Sequence, residues 1–221
     1  MQRPQRTLRP ARLIGLGLLV ILLVAMVLNT KFLTPAELAA AGPVKFDPVA
    51  TAADLFTKAK TDLPGRASPL GEVVPAIQDD TTSAAAKFKA GTPAEGSYVF
   101  AVTATGTVTE ATDASLRLQV SGVPSETPIL VPLTTAINGT AIRDAMGFKF
   151  ADAPGQTDYQ YVGDELKKLM QAEVKSAAGD PSALKGKKVT VVGAVSVVGT
   201  GTSVPKPKPI NVQPISLQVG S

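Results

Sequence analysis

Ser97–Thr109 reads SYVFAVTATGTVT, and its period decides the fold. Tyr98, Phe100, Val102 and Ala104 alternate with Ser97, Val99, Ala101, Thr103 and Thr105, and Thr107 to Thr109 carry the run past Gly106. Alternation of this kind, rich in β-branched and aromatic residues, is the signature of a strand. The segment is therefore a long first strand, with Gly106 as the place for a bulge or sharp coil.

Downstream, Glu110 to Asp113 makes a turn, and Leu116, Leu118 and Val120 alternate with Ser115, Arg117 and Gln119 in a second strand with one wet face. Ile129 to Leu133 is a short third strand, which Pro132 assigns to an edge. Gly186–Val198, GKKVTVVGAVSVV, is a fourth centred on Gly193, and Ile210–Val219, INVQPISLQV, is a fifth whose Pro214 again argues for an edge or bulge. Between third and fourth lies a helix expected from Tyr159 to about Ser176, with Asp158 as its N-cap and Tyr161, Val162, Leu166, Leu169, Met170 and Val174 as its apolar stripe.

Three strands, a helical insertion and two strands is the order of an OB fold, a five-stranded, partly open Greek-key barrel. The expected class is therefore α+β, mainly β: an OB-like five-stranded antiparallel barrel with a helical insertion and an N-terminal helical region after a transmembrane helix. An antiparallel sandwich of the same strands is the alternative. The expected divisions are a basic N-terminus over 1–12, a transmembrane anchor over 13–30, a helical region and linker over 31–96, and the OB-like domain over 97–221.

Working back from the first strand, Gly91 to Gly96 reads as the linker. Asp79 to Lys89 reads as an Ala-rich helix with Phe88 as its one large contact; its paired acids are explained by the helix dipole better than by a metal. Ser68-Pro69 is expected to begin a weaker helix bent at Pro75. Asp47-Pro48 opens an amphipathic helix anchored by Leu55 and Phe56 that ends at Pro64-Gly65, and Thr34-Pro35-Ala36-Glu37 has the form of a capping box.

Leu13 to Leu28, LIGLGLLVILLVAMVL, has no charged side chain, and Asn29 and Thr30 prolong the uncharged run to Lys31. At about 1.5 Å per residue residues 13–30 span roughly 27 Å, close to the hydrocarbon thickness of a bilayer. Arg3, Arg6, Arg9 and Arg12 precede it, so the basic end belongs in the cytoplasm and the rest outside. A cleaved secretory signal is the competing reading, but no small-residue cleavage pattern stands at Val27 to Lys31. The Glu37-Leu-Ala-Ala-Ala-Gly run, farther on, is the other place for cleavage.

Those same four arginines equal the whole formal net charge of +4 in this 221-residue chain. The body is neutral, and a nucleic-acid partner loses its main electrostatic support. Lys206 and Lys208, in a Pro-Lys-Pro-Lys-Pro run, read as a solvated stiff loop, and Gly199-Thr-Gly-Thr reads as a hairpin with no nucleotide implied. The chain has no Cys and no His, which excludes disulfides, thiolate metal sites, a cysteine nucleophile and histidine general-base chemistry. No cofactor is expected.

The densest polar chemistry lies in Gly139–Met170, GTAIRDAMGFKFADAPGQTDYQYVGDELKKLM. If Asn138 caps a short helix through Met146, Ala141, Ile142 and Ala145 turn inward, while Arg143 and Asp144 point about 100° apart and reach neighbouring elements rather than needing each other.

Phe46-Asp-Pro48 opening a helix, G-T-A-I-R-D-A at Gly139–Ala145, the aromatic and Gln-containing Phe148–Tyr161, and the closing V-x-P-I-x-L-x-V at Val212–Val219, behind an N-terminal membrane-targeting segment, resemble the DUF2291 family of predicted periplasmic lipoproteins. The resemblance implies a bacterial envelope protein with no established activity, from a family encoded in some genomes near sugar ABC transporters; its expected partners are a transporter component or its sugar. The family's lipid-carrying cysteine is missing, so here the transmembrane segment replaces lipid as the tether.

Three readings of Gly139–Met170 are open. In one, Arg143 pins the Asp152–Asp158 loop through a carboxylate or carbonyl and the stretch only holds the fold. In another, Arg143, Asp144, Gln156, Asp158, Tyr159 and Tyr161 line a ligand pocket completed by strands 114–121 and 129–133, a set suited to sugars or small anions. The third, hydrolysis by Asp144 with Asp152 or Asp158, needs a close carboxylate pair. A binding protein rather than an enzyme is the leading expectation, and a structural or assembly protein of the envelope without a small ligand is its rival.

Overall fold

The computed structural model describes residues 10–30, 34, 37, 46–199 and 209–220. The chain divides into two units, Met1–Lys45 and Phe46–Ser221. In the first, helix α1 spans Pro10–Asn29. Its side chains described from 17 to 28 are exposed, Leu28 by 80%. Among the described residues no helix is long and apolar enough to cross a membrane. The capping box is present: the Thr34 amide donates to Glu37 Oε2 at 2.8 Å and the Glu37 amide to Thr34 Oγ1 at 3.2 Å.

The second unit begins with α2, Pro48–Arg66, whose N-cap Asp47 accepts from the Val49 and Ala50 amides at 2.9 and 3.1 Å. Leu55 and Phe56, the expected anchors, are only half-buried; Ala52, Ala59 and Leu63 are the residues at zero exposure, because the helix lies close enough to its neighbours for small side chains to be covered first. Ser68–Pro69 is extended rather than helical: it forms β1, parallel to the long strand at Val102 and Thr103. Helix α3 then runs Leu70–Asp79 with Pro75 inside it. A separate α4, Thr81–Lys87, starts at Asp80, whose carboxylate accepts from the Ser83 amide at 2.6 Å. That hydrogen bond holds the Asp80 carboxyl below its usual range. The expected linker contains strand β2, Gly91–Ala94, antiparallel to the long strand at Ser97 and Val99.

Strand β3, Ser97–Ala111, is the long first strand expected from its period. It pairs with β4, Ser115–Val120, from Gly106 onward and with β6, Lys188–Val198, from Ser97 to Thr107. The register shift lies between Val108 and Glu110, not at Gly106; the glycine instead admits the Gln119 carbonyl oxygen, which a β-carbon would overlap. Strand β5, Ile129–Pro132, carries its proline at the last position and pairs with β4. The final stretch is split into β7, Ile210–Asn211, parallel to β5, and β8, Gln213–Val219, antiparallel to β6. The eight-stranded sheet has the order β7-β5-β4-β3-β6-β8, with β1 and β2 attached to β3. Since β7 and β8 are separated only by Val212, both ends of that order belong to one stretch of chain, and the sheet curls back on itself. Beyond Gly199 the expected hairpin, with Lys206 and Lys208, lies outside the described residues.

Two apolar layers cover β3 and β6, which accounts for the near-continuous apolar run of β6. On one side Phe100, Val102, Leu116, Ile129 and Val191 meet Leu70, Val73, Val74 and Ile77 of α3. On the other, Val99, Ala194 and Ile215 meet Ala59 and Leu63 of α2 with Ala141, Ile142 and Met170 from the insertion. Full burial of each large side chain contributes about 1.5–3 kcal/mol. The insertion therefore packs mainly in the second layer, while α3 covers the first together with Val174 and Ala178.

Candidate functional site

The insertion comprises α5, Gly139–Ala145, a 3₁₀ turn at Phe150–Asp152, and α6, Gln156–Ala178. Asn138 caps α5, its side chain accepting from the Thr140 amide at 3.0 Å. Helix α6 begins three residues before the expected start, with Gly155 as N-cap, so Asp158 sits inside its first turn. The two helices cross at Gly139 and Gly163. A β-carbon on Gly139 would overlap the Gly163 carbonyl oxygen and lie 2.5 Å from the Lys167 amide nitrogen. That contact explains a glycine at the head of the G-T-A-I-R-D-A segment, where a side chain would force the backbones apart.

The crossing buries Arg143 to 6% exposure and fixes its guanidinium. Nε donates to Asp144 Oδ1 at 2.9 Å, Nη2 lies 2.8 Å from the same oxygen in an ion pair, Nη1 donates to the Tyr159 carbonyl at 3.0 Å, and the guanidinium carbon lies 3.6 Å from the centre of the Tyr159 ring. The neighbours expected to point apart thus do pair: a long arginine side chain can bend back to the next residue where burial penalises an uncompensated charge. The expected carbonyl contact exists, one residue beyond the Asp152–Asp158 loop. The Tyr159 hydroxyl also donates to Asp144 Oδ1, at 3.3 Å. Burial, and then the Asp144 charge, push that hydroxyl above the usual tyrosine value of 10.0.

Gly147, at φ 77°, ends α5 in the left-handed region, and the Phe148 amide returns to the Arg143 carbonyl at 3.2 Å. This reversal lays Phe148 nearly parallel to Tyr159, with ring centres 6.1 Å apart, and sets Phe150 edge-on to it at 5.7 Å. Asp152 accepts from the Lys149 amide at 2.7 Å and so is used in holding the turn. Opposite stands β2. Gly91, Thr92 and Pro93 close a cleft of about 760 Å³ with Asp144, Phe148, Lys149, Phe150 and Tyr159. Its polar focus is Asp144: Oδ1 accepts from Arg143 Nε and the Tyr159 hydroxyl and pairs with Nη2, and among the described residues Oδ2 has no hydrogen-bond partner.

Of the residues selected from sequence, Arg143, Asp144 and Tyr159 are brought together. Arg143 lies behind Asp144 rather than on the cleft wall, and Gln156, Asp158 and Tyr161 are not on it either; Tyr161 is 51% exposed. Strands β4 and β5, expected to complete the pocket, line a different groove of about 580 Å³ with the loop that joins them. The second wall of the Asp144 cleft comes from the supposed linker, since Gly91-Thr-Pro-Ala has no period long enough to announce a strand. Among the described residues no cluster of acidic side chains fits a metal ion.

A model of the family described as predicted periplasmic lipoprotein, DUF2291, matches residues 18–218. The chain belongs to that family. This member carries no cysteine, the residue through which a lipoprotein is lipidated. A crystal structure of an OB-fold protein from Thermotoga maritima is similar at a TM-score of 0.66 and 20% identity, over 79% of this chain and 99% of that one. The likeness establishes an OB-type fold for the curled sheet. No curated protein matches this DUF2291 chain. The family's description places its members outside the cytoplasm.

Proposed function

We propose that this DUF2291 protein is a membrane-anchored extracytoplasmic binding module, not an enzyme, whose sheet closes as a five-stranded OB barrel and whose Asp144 cleft takes a sugar. The observation that carries the reading is the pairing of Asp144 Oδ2, unpartnered among the described residues, with the ring faces and edges of Phe148, Phe150 and Tyr159. Sugars present hydroxyls for a carboxylate and a flat C–H face for an aromatic ring, so the two halves of this wall match the two chemistries of that ligand. Arg143 acts at one remove, holding the carboxylate in place. Asp152 is exposed and used in its turn, which leaves Asp144 without an evident acid–base partner on the cleft.

The uncharged run 13–30 serves as the single-pass anchor, a reading that rests on the sequence, on the absence of charge from Leu13 to Thr30 and on the four arginines before it. An ABC transporter component is the protein partner that suits an anchored sugar binder, and nucleic acid is not a ligand. Carbonate-resistant membrane association of the full chain, thermal shift with a panel of pentoses and hexoses, and co-purification from membranes test the reading. A shift with at least one sugar that Asp144→Asn abolishes is the expected result. No shift with any sugar and no transporter subunit in the purified material would overturn it.

The rival, an envelope structural protein with no small ligand, is favoured by one observation: Nε and Nη1 of Arg143 donate within the fold and Nη2 is held in the Asp144 ion pair. It predicts that substitutions at Phe150 are silent in every assay.

A further inference from the structure

Next to the aromatic cleft, sharing Gly91 with it, is a second concavity of about 500 Å³ lined by Arg66, Ser68, Lys87, Phe88, Lys89 and Val99 among others. We infer that this concavity binds the oxyanion of a small soluble ligand, a phosphate or carboxylate group borne on a compact organic body.

Three basic residues line it, from the end of α2 and from the end of α4 with its following turn, and no acidic residue lines it. Among the described residues none of the three forms an ion pair; the ion pairs found involve Lys60, Arg117, Arg143 and Lys168. Like charges crowded without counter-charge repel, and an anion is what relieves the repulsion.

The cations are also positioned. Arg66 Nη2 donates to the Ala145 carbonyl at 3.2 Å, which steadies the fork and leaves Nε and Nη1 with no protein partner among the described residues. Lys87 Nζ lies 4.9 Å from the centre of the Phe88 ring. Lys89 is held at φ 52°, and among the described residues it alone is a non-glycine with positive φ. It occupies the position just past the cap of α4, with the Ala90 amide returning to the Ala85 carbonyl at 2.9 Å. Glycine is the ordinary occupant there, because a β-carbon strains the left-handed backbone. A lysine that bears this strain beside two other cations has a side chain with work to do.

Ser68 adds a hydroxyl with no partner among the described residues, while Val99, Ala101 and Phe88 give the floor an apolar face. The volume exceeds that of a bare oxyanion, which is why the ligand carries an organic body. The inference does not depend on sugar binding at Asp144.

Calorimetric titration of the full chain in detergent with inorganic phosphate, glycerol phosphate and gluconate tests it, at about 50 and then about 200 mM salt. Expected are binding of at least one probe, weakening at the higher salt, and a loss of about tenfold with either Arg66→Gln or Lys87→Gln, as for a lost charge-assisted hydrogen bond. Arg66 also touches α5, so Lys87→Gln, which removes no contact to another element, is the cleaner variant. Lys89→Gly separates roles: it should raise the melting temperature by relieving φ while lowering affinity. No binding of any probe, or binding by Lys87→Gln and Lys89→Gly as tight as that of the unaltered chain, would overturn the inference.

Discussion

Gly139–Met170 has two sides that meet at Asp144 and are built for opposite ends. Toward the core, Gly139, Gly163 and Arg143 form a crossing where backbones touch and the hydrogen bonds found for the Arg143 guanidinium are made within the fold. Toward solvent, Phe150 is 57% exposed and one oxygen of Asp144 is uncommitted among the described residues. Polar density in a sequence is therefore a poor guide to a site: the strongest donor of the stretch is used up in packing, and the groups left for a ligand are largely aromatic.

The comparison breaks first if Arg143 is expendable. Arg143→Ala strands a largely buried carboxylate, and calorimetric melting should register a loss of about 3–5 kcal/mol, roughly 10 °C. Arg143→Lys should recover only part, since an ammonium cannot bridge Asp144 and the Tyr159 carbonyl at once. Next in size, Gly139→Ala drives a methyl into the Gly163 carbonyl and should lower stability by about 3 kcal/mol in chemical denaturation.

The solvent side should behave otherwise. Phe150→Ala is expected to change stability by less than about 1 kcal/mol, yet to weaken sugar binding roughly fivefold or more, the value of an aromatic contact. The smallest effect belongs to Tyr159, where the two sides join. Its hydroxyl ionises above 10.0, so the stability it contributes is fully present below the unfolded value and is lost as pH rises through the folded one. Ultraviolet titration should show one of the three tyrosines ionising late, and Asp144→Asn should bring it back toward 10.0 by removing the second cause of the shift.

The legibility of each part depends on the forces that constrain it. The alternation of Leu116, Leu118 and Val120 with Arg117 and Gln119 exists because one face is buried, and it appears in the sequence as it does in the strand. The same holds for β3 and for the order of strands around the insertion. Short elements escape: β1 and β2 are held by pairing to β3, which no local pattern records. Pro214 marks an edge or bulge by its chemistry and falls opposite the shift at Gly193, whereas Pro132 does not put β5 at an edge: the strand is paired on both sides, by β4 and β7, and its proline is accommodated at the last position. In the site, residue types pick out Arg143, Asp144 and Tyr159, but their hydrogen bonds depend on a helix crossing visible only as two glycines in separate segments. Gln156, Asp158 and Tyr161 qualify by chemistry alone, and the turn of α6 takes them off the cleft wall.

The most direct measurement of the division within this stretch is a paired calorimetric titration of the full chain and Phe150→Ala with pentoses and hexoses, each with its melting curve. At least one sugar should bind the unaltered chain and bind the variant less tightly, while the two proteins melt within about 2 °C of each other. Absence of heat with every sugar, or identical affinity in the variant, would contradict the assignment of the aromatic wall to ligand binding.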